Sequence, residues 1–159
     1  MKLTHLAPAA LTLTALTLAG CSSPAEETTA PAADEVALEV NNARLMLPAV
    51  SGNPGAIYFD VENTGDRNYA IRRADVKGAG NAELHGSLEV DGQMMMDSVG
   101  QVLVESGGSQ SFQPGGFHVM VFDLDPSVQA GTSTDMTLTV VGGKKKTFPV
   151  EVRAAGDER

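Results

Sequence analysis

No stretch of this chain keeps a 3.6-residue apolar period for three turns, and that absence constrains the fold more than any other feature. Gly (17) and Pro (8) instead cut the sequence into short apolar runs rich in Val, Leu, Phe and Thr. Runs at Val36–Leu47, Ala56–Glu62, Tyr69–Val76, Glu83–Val90, Gln101–Glu105, Phe117–Leu124, Met136–Val141 and Thr147–Val152 have the length and composition of strands. Turn residues such as Asn63-Thr64-Gly65-Asp66 and Gly142-Gly143 separate them. About seven to nine short strands at this spacing predict an all-β fold, a Greek-key β-sandwich or barrel. Five Phe and two Tyr are the only aromatics, so Val and Leu must supply most of the core. There is no internal repeat. Lys144-Lys145-Lys146, after the glycine pair, reads as a solvated hairpin tip or an edge guarded by charge.

Residues 1–20 read as a lipoprotein signal. Lys2 supplies a positive start, Leu6 to Leu18 is mostly Ala, Leu and Thr, and the segment closes Leu18-Ala19-Gly20-Cys21. An apolar region this short, followed by small residues, is a processing signal rather than a membrane span; an uncleaved N-terminal helix is the alternative. Cys21 is the single cysteine, so no intrachain disulfide can form and lipidation uses the thiol. Stable anchoring takes more than one acyl chain, which lipidation at such a site normally supplies. From Cys21 to Glu35 the chain is rich in Ser, Pro, Ala, Thr and Glu, too polar to offset the entropy of ordering. That segment reads as a disordered tether with a reach of roughly 20 Å. The domain proper then spans residues 36–153, long enough for one core, and a short polar tail occupies 154–159. The expected location is extracytoplasmic, lipid-anchored to the bacterial membrane. Removing Lys2 turns the formal net charge of −9 into −10. Such a charge excludes nucleic acid as a natural partner and leaves the lipid anchor as the only expected hold on the membrane.

Within the domain, His85, Met96, His118 and Met120 form the pattern His-x10-Met-x21-His-x-Met. The chain has three histidines, and His5 falls in the signal segment, so every histidine of the mature protein is in this set. Thioether sulfur is a soft ligand that suits Cu(I), while imidazole accepts several transition metals. Two imidazoles and two thioethers without thiolate therefore point to copper. Zinc normally takes thiolate, imidazole or carboxylate, and Ca²⁺ or Mg²⁺ take oxygen.

Asp91-Gly92 between two extended runs is a strong two-residue hairpin signal. Such a loop pairs Val90 with Gln93, Glu89 with Met94, Ser87 with Met96 and His85 with Ser98. His85 and Met96 then lie on one face as diagonal neighbours, about 7–8 Å apart at Cα. Met94 shares that face one step nearer the turn, which makes it the substitute ligand should Met96 not serve. Met95 points the other way. His118 and Met120, two apart on a strand, project to one side, and Gly115-Gly116 marks a turn ahead of them. Sequence does not show that the two pairs converge. Met94-Met95-Met96 also suits an irregular piece of core, since methionine packs adaptably. Met120, between two valines, also suits a strand core, and a lone histidine is more often surface or a satisfied polar group. Met46 and Met136 have no histidine nearby and are assigned to the core.

The His/Met spacing resembles the signature of the periplasmic copper(I) chaperones called PCu(A)C. The resemblance runs over roughly residues 40–152. It includes Ala56-Ile57-Tyr58-Phe59-Asp60-Val61-Glu62-Asn63-Thr64-Gly65, Ala82-Glu83-Leu84-His85 and Pro114-Gly115-Gly116-Phe117-His118-Val119-Met120. It implies a cupredoxin-like β-barrel or sandwich on which the two ligand pairs converge, holding one Cu(I) per chain. The partner it implies is a copper-receiving membrane protein, such as the copper centre of cytochrome oxidase. Some relatives carry a His- and Met-rich C-terminal extension, whereas this chain ends Ala154-Ala155-Gly156-Asp157-Glu158-Arg159, so a single site is expected. Position 86 is Gly and offers no further thioether.

Three classes of function compete. A copper carrier without turnover uses all four ligands. A copper redox protein of the blue type needs a thiolate, and the only cysteine is committed to lipid. A metal-free adhesion or assembly lipoprotein leaves the His/Met set accidental. No Ser/His/Asp arrangement is evident, and Glu83 beside His85 reads as a residue supporting a ligand or facing solvent rather than a catalytic acid.

Overall fold

A computed structural model describes residues 36–90 and 92–157. The expected signal segment, Cys21 and the tether all lie outside the described residues. Ten strands form: β1 (Leu38–Met46), β2 (Gly55–Asn63), β3 (Tyr69–Val76), β4 (Ala79–Val90) and β5 (Gln93–Ser98), then β6 (Val102–Val104), β7 (Ser109–Phe112), β8 (His118–Leu124), β9 (Ser133–Val140) and β10 (Lys145–Arg153). No described residue is helical. The strands follow one hydrogen-bonded path, β5-β4-β8-β2-β1-β10-β9-β3-β6, with β7 also paired to β2. Neighbours such as β4–β8 and β3–β9 are distant in sequence, the crossover pattern that a Greek-key arrangement requires. The β1–β10 pairing is the one parallel ladder among the described strands and joins the two halves of the path.

Alternation places one face of every strand but β5 in a single core. Leu45, Ile57, Phe59, Ile71, Val119, Val121, Met136, Leu138 and Val150 are all sealed from solvent. Val and Leu dominate as expected, but the two largest fully buried side chains are Phe59 and Phe112. Their rings stack with centroids 4.1 Å apart, and Phe112 leans on Phe117 at 6.1 Å. An aromatic chain thus runs from the core to the residue before His118. The number of strands exceeds the sequence expectation because of β7. Ser109-Gln110-Ser111 carry no apolar signal; they are held by main-chain pairing to β2, and only Phe112 is buried.

One core assignment changes, and the core alternative for the Met94-Met95-Met96 run falls away. Met136 is core, whereas Met46, at the end of β1, is only half-buried. Met94, Met95 and Met96 fill no core: β5 ends the hydrogen-bonded path, and all six of its residues are exposed.

Turns hold the register. Asn63 is wholly buried and donates from Nδ2 to the carbonyls of Arg67 and Val104, while its Oδ1 accepts from the Gly65 amide. Its side chain thereby fixes the β2–β3 turn and clips β6 onto it. In β1 the register shifts between Asn41 and Arg44, where Asn42 adopts φ 57°. Asn42 donates to Asp60, and that bond, the Ser111 hydroxyl and the Arg44 charge hold the Asp60 carboxyl below its ordinary range. Beyond this bulge Arg44 lies over the Tyr58 ring, 5.4 Å from its centre.

Candidate metal centre

Three adjacent strands build the site. β4 and β8 pair antiparallel with His85 directly opposite His118 and Glu83 opposite Met120. On its other side β4 pairs β5 with Ser87 opposite Met96, Glu89 opposite Met94 and His85 opposite Ser98. This is the register a two-residue turn at 91–92 requires, and Gly92 takes the positive φ of 77° that such a turn needs. The period of two then puts Glu83, His85, His118, Met120, Met94 and Met96 on one face. The intervening residues Leu84, Val119 and Val121 enter the core on the other.

His118 faces away from the core yet is only 3% exposed. Its neighbours explain this: the His85 ring lies 5.8 Å away between centroids and the Tyr58 ring 6.3 Å, and Met96 Sδ approaches Nε2 to 3.3 Å. On the opposite side of the ring Nδ1 is 3.0 Å from the Gly116 carbonyl oxygen. A carbonyl only accepts, so Nδ1 carries the proton and Nε2 presents its lone pair to the sulfur. Two lone-pair donors facing each other gain nothing by themselves. Their spacing is close to the roughly 3.5 Å that a nitrogen and a sulfur ligand show across one tetrahedral ion.

The second histidine is arranged in the same way. His85 Nε2 lies 3.2 Å from Glu83 Oε2, and Glu83 Oε1 accepts from Asn81 Nδ2 at 2.8 Å. The carboxylate accepts, so Nε2 carries the proton. Nδ1 of His85 is buried with no hydrogen-bond partner. Each imidazole therefore has one nitrogen held by an oxygen and one left bare, the condition in which a histidine ligates a metal. Burying a bare polar nitrogen is costly unless something binds it.

The structure thus brings His85, His118 and Met96 together by measured contacts. Met120, half-buried, joins them by register, across from Glu83. Among the described residues no group of three or more His, Cys, Asp or Glu could hold a metal ion. Only with the thioethers does a ligand set form, and it is a soft one. Glu83 adds a carboxylate to this face, which favours a cation.

Three supporting groups escaped sequence reasoning. Asn81 was legible in principle, since Asn81-x-Glu83-x-His85 is a period-two row on one strand. The Gly116 carbonyl accepts from both the Ser87 amide and His118, and so ties β4 to the turn before β8. The Ser87 and Tyr58 contacts depend on non-local pairing and leave no local signal, whereas Gly116 stands two residues before His118.

A family model described as "Putative lipoprotein LpqE-like" matches residues 38–152. A curated relative, "Putative lipoprotein Lxx21020" of Leifsonia xyli subsp. xyli, is 25% identical over 115 residues, covering 72% of this chain and 69% of that one. Among solved structures, the copper-bound PCuAC domain from PmoF2 superposes with a TM-score of 0.60 at 17% identity, covering 74% of this chain and 93% of that domain. The Cu(I) form of DR1885 from Deinococcus radiodurans gives a TM-score of 0.59 at 20% identity, with 85% and 89% covered. The chain shares the cupredoxin-like β fold of these domains.

Proposed function

The chain belongs to the LpqE-like family, and from that premise we propose that it is an extracytoplasmic carrier of Cu(I), anchored through a lipidated Cys21 and without catalytic turnover. Residues 1–20 are its signal, 21–35 its tether, 36–153 its copper-binding domain and 154–159 a polar tail. His85, Met96, His118 and Met120 hold one copper ion, which is cargo handed to a membrane-bound recipient such as a cytochrome oxidase copper centre. The observation that carries this reading is His118 Nε2 set 3.3 Å from Met96 Sδ. Beside it stands the bare, buried Nδ1 of His85. Two solved proteins of the same fold bind copper, the PmoF2 domain and DR1885, which adds support.

The chemistry favours carriage over electron transfer. Thioether and imidazole without thiolate give a site that prefers the reduced ion, so the copper stays Cu(I) from donor to recipient. Thioethers are neutral and exchange without moving a proton. A metal-free adhesion protein would have no use for a buried and a half-buried imidazole set ring to ring on its outer face.

Anaerobic titration of Cu(I) against a strong chelator tests the proposal. One equivalent should bind wild-type protein in competition with the chelator, and the His85→Ala, His118→Ala double variant should lose that binding. Absence of competition by the wild-type protein would overturn the copper reading.

A further inference from the structure

Met94 and Met95 are not explained by the fold. They are 62% and 55% exposed on a terminal strand of the sheet path, where large apolar side chains contribute no burial and invite unwanted association. Met96, 58% exposed, has a role through its sulfur against His118. Met94 stands on the same face as Met96, two residues nearer the hairpin tip and about 7 Å away along the strand. Met95 faces the opposite side.

We propose that Met94 is a relay thioether, the first and last ligand that Cu(I) meets as it enters or leaves the site. This rests on the copper-carrier reading above. Along the shared face the order from the far end to the tip is Met120, then His85 and His118, then Met96, then Met94. As copper moves outward, a Cu–S bond to Met94 forms while the Cu–S bond to Met120 breaks, and Met96 stays bonded as the pivot. One neutral thioether replaces another, so the charge is unchanged and neither a proton nor an electron is transferred. The unbranched, exposed Met94 side chain is free to swing, a property methionine has and leucine lacks at sulfur. An exposed acceptor ligand then meets the ion outside the ring of histidines instead of having to reach the buried His118.

The test compares wild type, Met94→Leu and Met95→Leu, each loaded with one Cu(I) under anaerobic conditions. Stopped-flow spectroscopy follows transfer to bathocuproine disulfonate, and equilibrium competition gives the affinity. Met94→Leu should transfer about tenfold more slowly while its affinity stays within about twofold of wild type. Met95→Leu should match wild type in both. An unchanged rate in Met94→Leu overturns the relay. An affinity loss in Met94→Leu as large as the rate change also overturns it, because Met94 would then be a resident ligand. A wild-type protein that takes up no Cu(I) at all overturns the carrier reading and the relay with it.

Discussion

An imidazole binds a metal through one nitrogen, so the residues around it must occupy the other. For His118 the Gly116 carbonyl does this, and for His85 the Glu83 carboxylate, itself held by Asn81. Replacing Glu83 with Ala should free the His85 ring and weaken Cu(I) binding by about tenfold or more, the usual effect of losing such a support. Thermal unfolding of the metal-free protein should barely change, because Glu83 is partly exposed. Met96→Leu should likewise weaken Cu(I) while shifting stability by less than about 1.5 kcal/mol, since leucine keeps the volume and removes only the sulfur. Chelator competition and urea unfolding check the two halves of that expectation. Unchanged affinity would move the ligand role to Met94. At this scale the sequence was most informative: with so few histidines, each accompanied by a methionine at a short offset, the ligand candidates could be named before any geometry was known. Which nitrogen of each ring is held could not, because it depends on the rotamer each ring takes, although both partners, Glu83 and Gly116, stand only two residues away in the chain.

Strands convert spacing into proximity. The β4–β5 hairpin was legible because Asp91-Gly92 fixes a two-residue loop, and the loop fixes every pair behind it, from Val90 with Gln93 to His85 with Ser98. β7 was not legible, since its polar residues are strand only by virtue of β2 beside them. Asn63 illustrates the same limit. It reads as a turn residue, yet it is a buried bracket whose amide meets two carbonyls from separate segments. Asn63→Ala would leave both acceptors and the Gly65 amide without their side-chain partner, the Val104 carbonyl in a buried place and the other two in half-buried ones. The expected loss is about 2–3 kcal/mol, measurable as a lower urea midpoint at unchanged slope. Copper affinity per folded molecule should remain, because Asn63 bears on the β2–β3 turn and β6 and has no contact with a ligand.

In the whole molecule, the β4–β8 pairing is what makes a centre of two separate motifs. It sets His85 against His118 across a sequence distance that no local pattern spans. The sequence therefore named the candidate ligands and their hairpin, while their convergence was implied only by resemblance. Because protons compete with the metal for imidazole but not for thioether, Cu(I) affinity should fall on acidification by up to about tenfold per pH unit for each histidine that binds. The weak binding left to Met96 and Met120 in the His85→Ala, His118→Ala double variant should lose most of that dependence, and an affinity flat with pH in the wild type would remove both histidines from the site. X-ray absorption at the copper edge of the protein loaded with one equivalent of Cu(I) reads the ligand set itself. The expected spectrum is that of a reduced ion with two imidazole nitrogens and two sulfurs as nearest neighbours, one sulfur disappearing in Met96→Leu. A first shell of nitrogen and oxygen alone would contradict it.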